Sequence, residues 1–201
     1  MRRSPEERDS NMEAADASDI RIIREVQAGH REAFETLVRR YASRAHGIAM
    51  QFVQNSEDAL DLSQDAFLKS FRAVDRFDTE QRFFPWFYKI LKNTCLTFLK
   101  RKGLVRSFSL SAAGEGEADY QLVDEAAVPP HAMLVQGELR EEFWSAYSTL
   151  SLRDREILTL RHFQEQSYQE IADTLEIPIG TVMSRLYHAR RKLRRKLETH
   201  L

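Results

Sequence analysis

The sequence predicts an all-α protein: two small helical domains joined by a flexible acidic linker, the C-terminal one a helix-turn-helix. Three observations carry this. Apolar side chains recur at spacings of three and four through two long stretches, which is the helical period. The 201 residues include only 7 Gly and 5 Pro, few for a chain built from many β-turns. Between the periodic stretches, Ser107 to Leu139 holds no Lys or Arg, while four of the Gly residues and the pair Pro129-Pro130 fall between 103 and 137. That is linker composition, and so long a connection is unusual inside one compact domain. The expected division is a flexible tail over 1–18, a helical domain over 19–103, a linker over 104–131 and a second helical domain over 132–201.

The elements follow in order. Residues 1–18 carry no large apolar side chain except Met1 and Met12, so they bury too little to offset ordering entropy. Asp19 is the expected N-cap of a short helix with Ile20, Ile23 and Val26 on one face and Gly29 as its stop. A longer helix from Arg31 places Phe34, Leu37, Val38, Tyr41, Ala45, Ile48, Ala49 and Phe52 together. Asn55 or Ser56 caps the next, with Leu60, Phe67, Phe71 and Val74 expected inward. Another helix opens near Pro85 and stops at Gly103, the usual asymmetry of Pro near the start and Gly past the end. After the linker, Leu139, Phe143, Tyr147 and Leu150 mark a helix. A capping signal at Ser151–Asp154 precedes Ile157, Leu158 and Phe163, and a capping box at Ser167–Glu170 opens a short helix with Ile171, Ala172 and Leu175. A tight turn over Glu176-Ile-Pro178 leads to the last helix, 179–199.

Several classes are set aside. Cys95 is the one cysteine, so there is no disulfide within the chain and no Cys-based zinc site. The polar, acidic N-terminus lacks the apolar core of a signal peptide, and no apolar run approaches the ~18 residues of a membrane span. A soluble cytoplasmic protein without direct membrane insertion is expected. There is no P-loop, nucleophile elbow or HExxH, and no cofactor is expected.

Residues 167–197 give the sharpest local signal. A short apolar helix, a tight turn and an Arg-rich helix form the helix-turn-helix pattern. Ile171, Ala172, Leu175, Ile177, Val182 and Leu186 are spaced to pack the pair together. Thr181, Ser184, Arg185, Tyr187 and His188 are then left for base edges or phosphates. The basic run Arg190, Arg191, Lys192, Arg194, Arg195 and Lys196 follows, suited to phosphates. An ordinary helical hairpin with a solvated basic end is the plainer alternative.

A second signal lies over 82–106. Arg82, Lys89, Lys92, Lys100, Arg101, Lys102 and Arg106 occur with no acid among them, interleaved with Phe83, Phe84, Trp86, Phe87 and Tyr88. Basic residues among rings suit single-stranded nucleic acid, whose bases stack on aromatics. The same rings are needed for the core of a small helical domain. A third signal is acidic: Asp58, Asp61 and Asp65 share one helical face. They suit protein docking or solvation, and a metal-dependent phosphoryl hydrolase is the enzymatic alternative. A two-domain repressor or activator acting on duplex DNA alone is a further one.

Taken in order, these segments resemble the extracytoplasmic-function, group 4, sigma factors of the sigma-70 family. AGHREAFETLVRRY (28–41) is similar to the first conserved region. EDALDLSQDAFLKSF (57–71) resembles the segment that docks on the polymerase clamp helices. FDTEQRFFPWFYKILKNTCLTFLKRK (77–102) is similar to the promoter-melting and −10-reading region, and the helix-turn-helix to the −35 reader. The resemblance implies a non-catalytic specificity subunit that binds core RNA polymerase through the β′ clamp helices and the β flap. It implies contact with promoter DNA, both duplex and single-stranded, and restraint by an anti-sigma factor. It assigns Asp61, Leu62, Gln64, Asp65 and Leu68 to polymerase. Phe77, Arg82, Phe84, Trp86, Lys89, Lys92 and Asn93 fall to the −10 strand, and Thr181, Met183, Ser184, Arg185, Tyr187, His188 and Arg191 to the −35 duplex. Met183 and His188 stand where many relatives carry Arg, which leaves the −35 sequence open.

The net charge of −1 is no objection to DNA binding. Segments 81–106 and 179–201 hold fourteen basic residues and one acid, and the rest of the chain holds sixteen basic residues and thirty acids. Binding follows local patches rather than the total.

Overall fold

The computed structural model describes residues 5–103 and 138–200. The expected linker over 104–131 lies outside the described residues. The first half comprises α1 (Pro5–Gln27), α2 (Phe34–Val53), α3 (Ser56–Ala73) and α4 (Phe83–Arg101). The second comprises α5 (Glu138–Ser148), α6 (Leu152–Leu158), α7 (Tyr168–Leu175) and α8 (Ile179–His200). No strand occurs among the described residues.

Local chemistry explains most boundaries. The Asn55 side chain accepts the Asp58 N–H at 2.9 Å and opens α3. Ser151 caps α6 by accepting the Asp154 N–H at 3.2 Å. Ser167 and Glu170 form a complete capping box at the start of α7, each side chain accepting the other residue's N–H. Gly29 and Gly103 follow α1 and α4 with φ of 107° and 68°, a region open to glycine at little cost. Between α6 and α7, Thr159–Phe163 forms a wide π-turn, closed by the Gln164 N–H on the Thr159 carbonyl at 2.9 Å.

Two expectations fail. Asp19 does not cap a helix. It lies inside α1, which begins at Pro5, and it is fully buried, with Arg40 and Tyr41 of α2 both donating to its carboxylate. Burial raises the Asp19 pKa above the usual carboxylate value, against the lowering influence of Tyr41 and Arg40. The second failure is Leu60, the one member of the expected inward set that faces out, whereas Phe67 and Val74 are buried and Phe71 is half-buried against the core. Leu60 is 49% exposed and Leu62 only 7%. The inward face of α3 is Ala59, Leu62, Ser63, Ala66, Phe67 and Ser70. Small residues there let α3 approach α2 and α4 closely, and the Ser63 and Ser70 hydroxyls are satisfied by the Leu60 and Phe67 carbonyls at 2.8 Å.

The core of the first half is aromatic. Phe67 stacks on Phe87 at 4.5 Å, Phe83 on Phe87 at 5.7 Å, and Tyr41 lies against Phe83 and Phe84. Arg44 lies over the Phe84 ring at 3.4 Å, where burial lowers its pKa to about 10. In the second half, Ile171 of α7 and Val182, Leu186 and Ala189 of α8 are buried, with α8 packed on α5, α6 and α7. The two halves pack against each other: their buried side chains form one continuous apolar cluster, with α2 against α6 and α4 against α7.

Candidate nucleic-acid interface

The helix-turn-helix is built by local rules. The capping box fixes where α7 starts. At its end Glu176 takes a left-handed conformation, φ 54°, and its N–H bonds the Ala172 carbonyl. Ile177 and Pro178 complete the turn, and Val182 and Leu186 then seat α8 on α7. This leaves Met183 (40% exposed), Tyr187 (50%), His188 and Arg191 on the outer side of α8. The Tyr187 and His188 rings meet edge to face at 5.4 Å. Those four residues, with the basic run behind them, form an outward ridge suited to a major groove.

The other three expected residues of α8 are half-buried. The Ser184 hydroxyl donates to the Thr181 carbonyl at 3.0 Å. Arg185 has its pKa lowered by burial first and by Arg153 second, with Glu156 acting in the opposite sense. Lys192 reaches Asp154 at 2.8 Å, which ties the basic end of α8 to α6.

In the first half, the expected strand-binding residues divide. Phe77 and Phe84 are each 5% exposed and belong to the core, which corrects their assignment to an unstacked base. Phe84 packs on Tyr41 and Tyr88, and Phe77 on Trp86 and Phe83. A ring enclosed on these sides has no face left for a base. Trp86 is half-buried, its ring edge-on to Phe77 at 4.8 Å. Arg82 and Lys92 are half-buried, and Lys89 and Asn93 are exposed. The loop leading into α4 is held by Gln27, whose amide donates to the Val74 carbonyl at 2.8 Å and the Phe77 carbonyl at 3.0 Å. Asp78 accepts the Glu80 N–H at 3.0 Å and stiffens the same loop. Sequence reasoning missed Gln27, because nothing local marks a contact made 47 and 50 residues away.

The acidic face of α3 presents Asp61, Gln64 and Leu68 outward, with Asp65 half-buried and paired to Lys69 at 2.7 Å. Leu62 is buried and cannot meet a partner, so the exposed apolar side chains of this helix are Leu60 and Leu68. Asp58 pairs with Lys102 at 2.8 Å. Among the described residues, no group of three or more His, Cys, Asp or Glu side chains is gathered to hold a metal, and no helix is long and apolar enough to cross a membrane.

Comparison with known proteins matches these surfaces to a family. The sigma-70 region 2 pattern matches residues 37–105, and the sigma-70 region 4 pattern matches 140–193. The chain is similar to the RNA polymerase sigma-H factor of Pseudomonas aeruginosa, with 33% identity over 90% of this chain and 94% of that one. It is equally similar to the ECF RNA polymerase sigma-E factor of Escherichia coli K12, with 33% identity over 90% of this chain and 95% of that one. Among solved structures, CnrH in complex with the cytosolic domain of CnrY shares the fold. The TM-score is 0.64 at 22% identity, over 90% of this chain and 97% of that one.

Proposed function

Because the chain belongs to the sigma-70 family, in its extracytoplasmic-function group, and serves promoter-specific initiation by RNA polymerase, we propose how its surfaces divide that work. The outer ridge of α8 reads the −35 duplex, with Met183, Tyr187 and His188 at base edges and Arg191 on phosphate. Arg82, Lys89, Lys92 and Asn93, with the open edge of Trp86, hold the displaced −10 strand. Asp61, Gln64, Leu60 and Leu68 of α3 dock on the β′ clamp helices of core polymerase, and the second half contacts the β flap. The subunit has no catalysis of its own and works in the cytoplasm. A dissociable factor with these surfaces also offers them to an anti-sigma factor, which restrains it by covering the polymerase-binding faces.

The carrying observation is the ridge of α8. A complete capping box and a left-handed turn orient that helix so that four polar or large side chains stand outward beside a basic run. Run-off transcription with purified core polymerase tests the reading. The chain alone is expected to confer start-site-specific transcripts. M183A/Y187A/R191A is expected to abolish them on a duplex template while retaining polymerase binding. Specific duplex binding without any polymerase-dependent transcript overturns the reading in favour of a free-standing regulator.

A further inference from the structure

The segment that leads into α4 is tied to α1 at both of its ends. At its start, both hydrogens of the Gln27 amide are engaged, one on the Val74 carbonyl at 2.8 Å and one on the Phe77 carbonyl at 3.0 Å. At its end, Asp16 accepts from the Arg82 Nε at 2.7 Å. Asp16, Ile20, Ile23 and Gln27 follow one another at helical spacings of four, three and four, so they share one face of α1. Ile23 is fully buried and Ile20 packs on the core, which fixes that face against the first half. The two anchors stand three turns apart on it, about 16 Å along the helix.

Between the anchors the segment is a turn closed on itself. The Gln81 N–H bonds the Asp78 carbonyl at 3.0 Å, and the Glu80 N–H bonds the Asp78 side chain at 3.0 Å. These bonds set the shape of the turn. Its attitude toward α4 is set by where it is tied: Gln27, Asp16 and, just past the end of α1, Arg31, which pairs with Asp75 at 2.8 Å. Asp78, Glu80 and Gln81 are exposed beside Arg82, and they carry the donors and acceptors that a base edge can meet. Discrimination by such groups needs placement to within about 0.5 Å. Gln27 is itself an exposed position, so the effect of its two bonds is on geometry more than on the stability of the fold.

We propose that Gln27 is a positioning residue for base selection in the −10 strand. α1 acts as a splint that holds Asp78, Glu80, Gln81 and Arg82 in the attitude in which they meet the strand. Gln27 touches no DNA and acts through the Val74 and Phe77 carbonyls. This inference rests on the assignment of the Arg82 to Asn93 surface to that strand.

The test uses the full chain assembled with core polymerase and a pool of single strands randomised over six positions, the retained strands being sequenced. The parent is expected to enrich a preferred sequence. Q27E keeps the shape of the side chain but turns a carboxylate, which at neutral pH has no hydrogen to donate, toward two carbonyls. It is expected to lower enrichment at the most selective position at least about fivefold, the low end of what one base contact discriminates. It should still melt close to the parent. Q27K restores donors at the same place and is expected to keep the parent's preference, which separates loss of donation from loss of fold. Q27E with the parent's preference overturns the proposal, as does an equal loss in Q27K or a parent that enriches no sequence. The underlying assignment is read separately, since R82A/K89A/K92A that retains the strands as well as the parent refutes the strand-binding role itself.

Discussion

The Tyr88 hydroxyl of α4 donates to the Glu156 carboxylate of α6 at 2.6 Å, both groups buried where the two halves of the chain meet. Burial and the neighbouring carboxylate hold the Tyr88 phenol well above its ordinary pKa, so it is a dedicated donor at any physiological pH. Lys92 of α4 meets the same carboxylate at 2.6 Å, so one carboxylate links the two halves of the chain.

Removing one side of that link should cost less than removing the other. Y88F leaves Glu156 its lysine and is expected to lose about 1 kcal/mol of stability. E156A strands both the hydroxyl and the ammonium of α4 and is expected to lose ~2–3 kcal/mol. In Y88F/E156A the losses should not add, because both act on one contact. Urea denaturation of the full chain measures all three, and additive losses would show the contact to be incidental.

On α3, stability and docking should separate by face. L62A opens a cavity in the core and is expected to cost ~2–4 kcal/mol. L68E and L60E alter exposed positions and should change stability by less than about 0.5 kcal/mol. They are expected to weaken binding to core polymerase at least tenfold. Thermal melting and titration with labelled polymerase check this, and an L68E variant that binds as tightly as the parent would disprove the docking role.

The residues of α8 should fail in different ways. R191A, on a phosphate, is expected to weaken duplex binding on all sequences and to reduce the salt slope by about 1. Y187A and M183A, at base edges, should cost ~1–3 kcal/mol on the preferred site only and relax specificity there. Titrations of matched and mismatched duplexes at several salt concentrations distinguish the two.

Alkaline pH should destabilise the fold. Burial pushes the Cys95 thiol from 9.0 up to about 12 and the Tyr147 phenol from 10.0 up to about 12. Between these values the unfolded chain releases its protons first. The stability is therefore complete below pH 9 and is lost as pH rises toward the folded values. Urea midpoints measured from neutral to alkaline pH should fall, with a shallower slope in C95A. The native thiol should also react slowly with Ellman's reagent at neutral pH.

What was legible in the sequence was local. Asn55, Ser151 and Ser167 declare their caps because each partner lies three residues away. The helix-turn-helix was legible because the capping box, the turn and the basic run fall within about thirty residues. The outward turn of Leu60 was not, because the inward face of α3 uses Ala and Ser for close approach where simple patterning looks for a large apolar side chain. Phe77 and Phe84 looked like stacking platforms because a ring reads the same in a core as on a surface. The role of Asp19 depends on Arg40 and Tyr41, more than twenty residues on. The clasp between the halves joins residues 64 to 91 apart, a separation that leaves no periodic trace.

That separation also sets an order of events at the ribosome. Helices α1 to α4 are complete by residue 101, whereas Glu156 emerges only 55 residues later. At translation rates of about 5–20 residues per second, the interval is roughly 3–11 seconds. For that time Arg82, Lys89, Lys92 and Tyr88 of the nascent first half lack their partners in the second half. The half that supplies Glu156, Asp173 and Glu176 arrives last, so each newly made copy passes through a brief stage in which these contacts are still unmade.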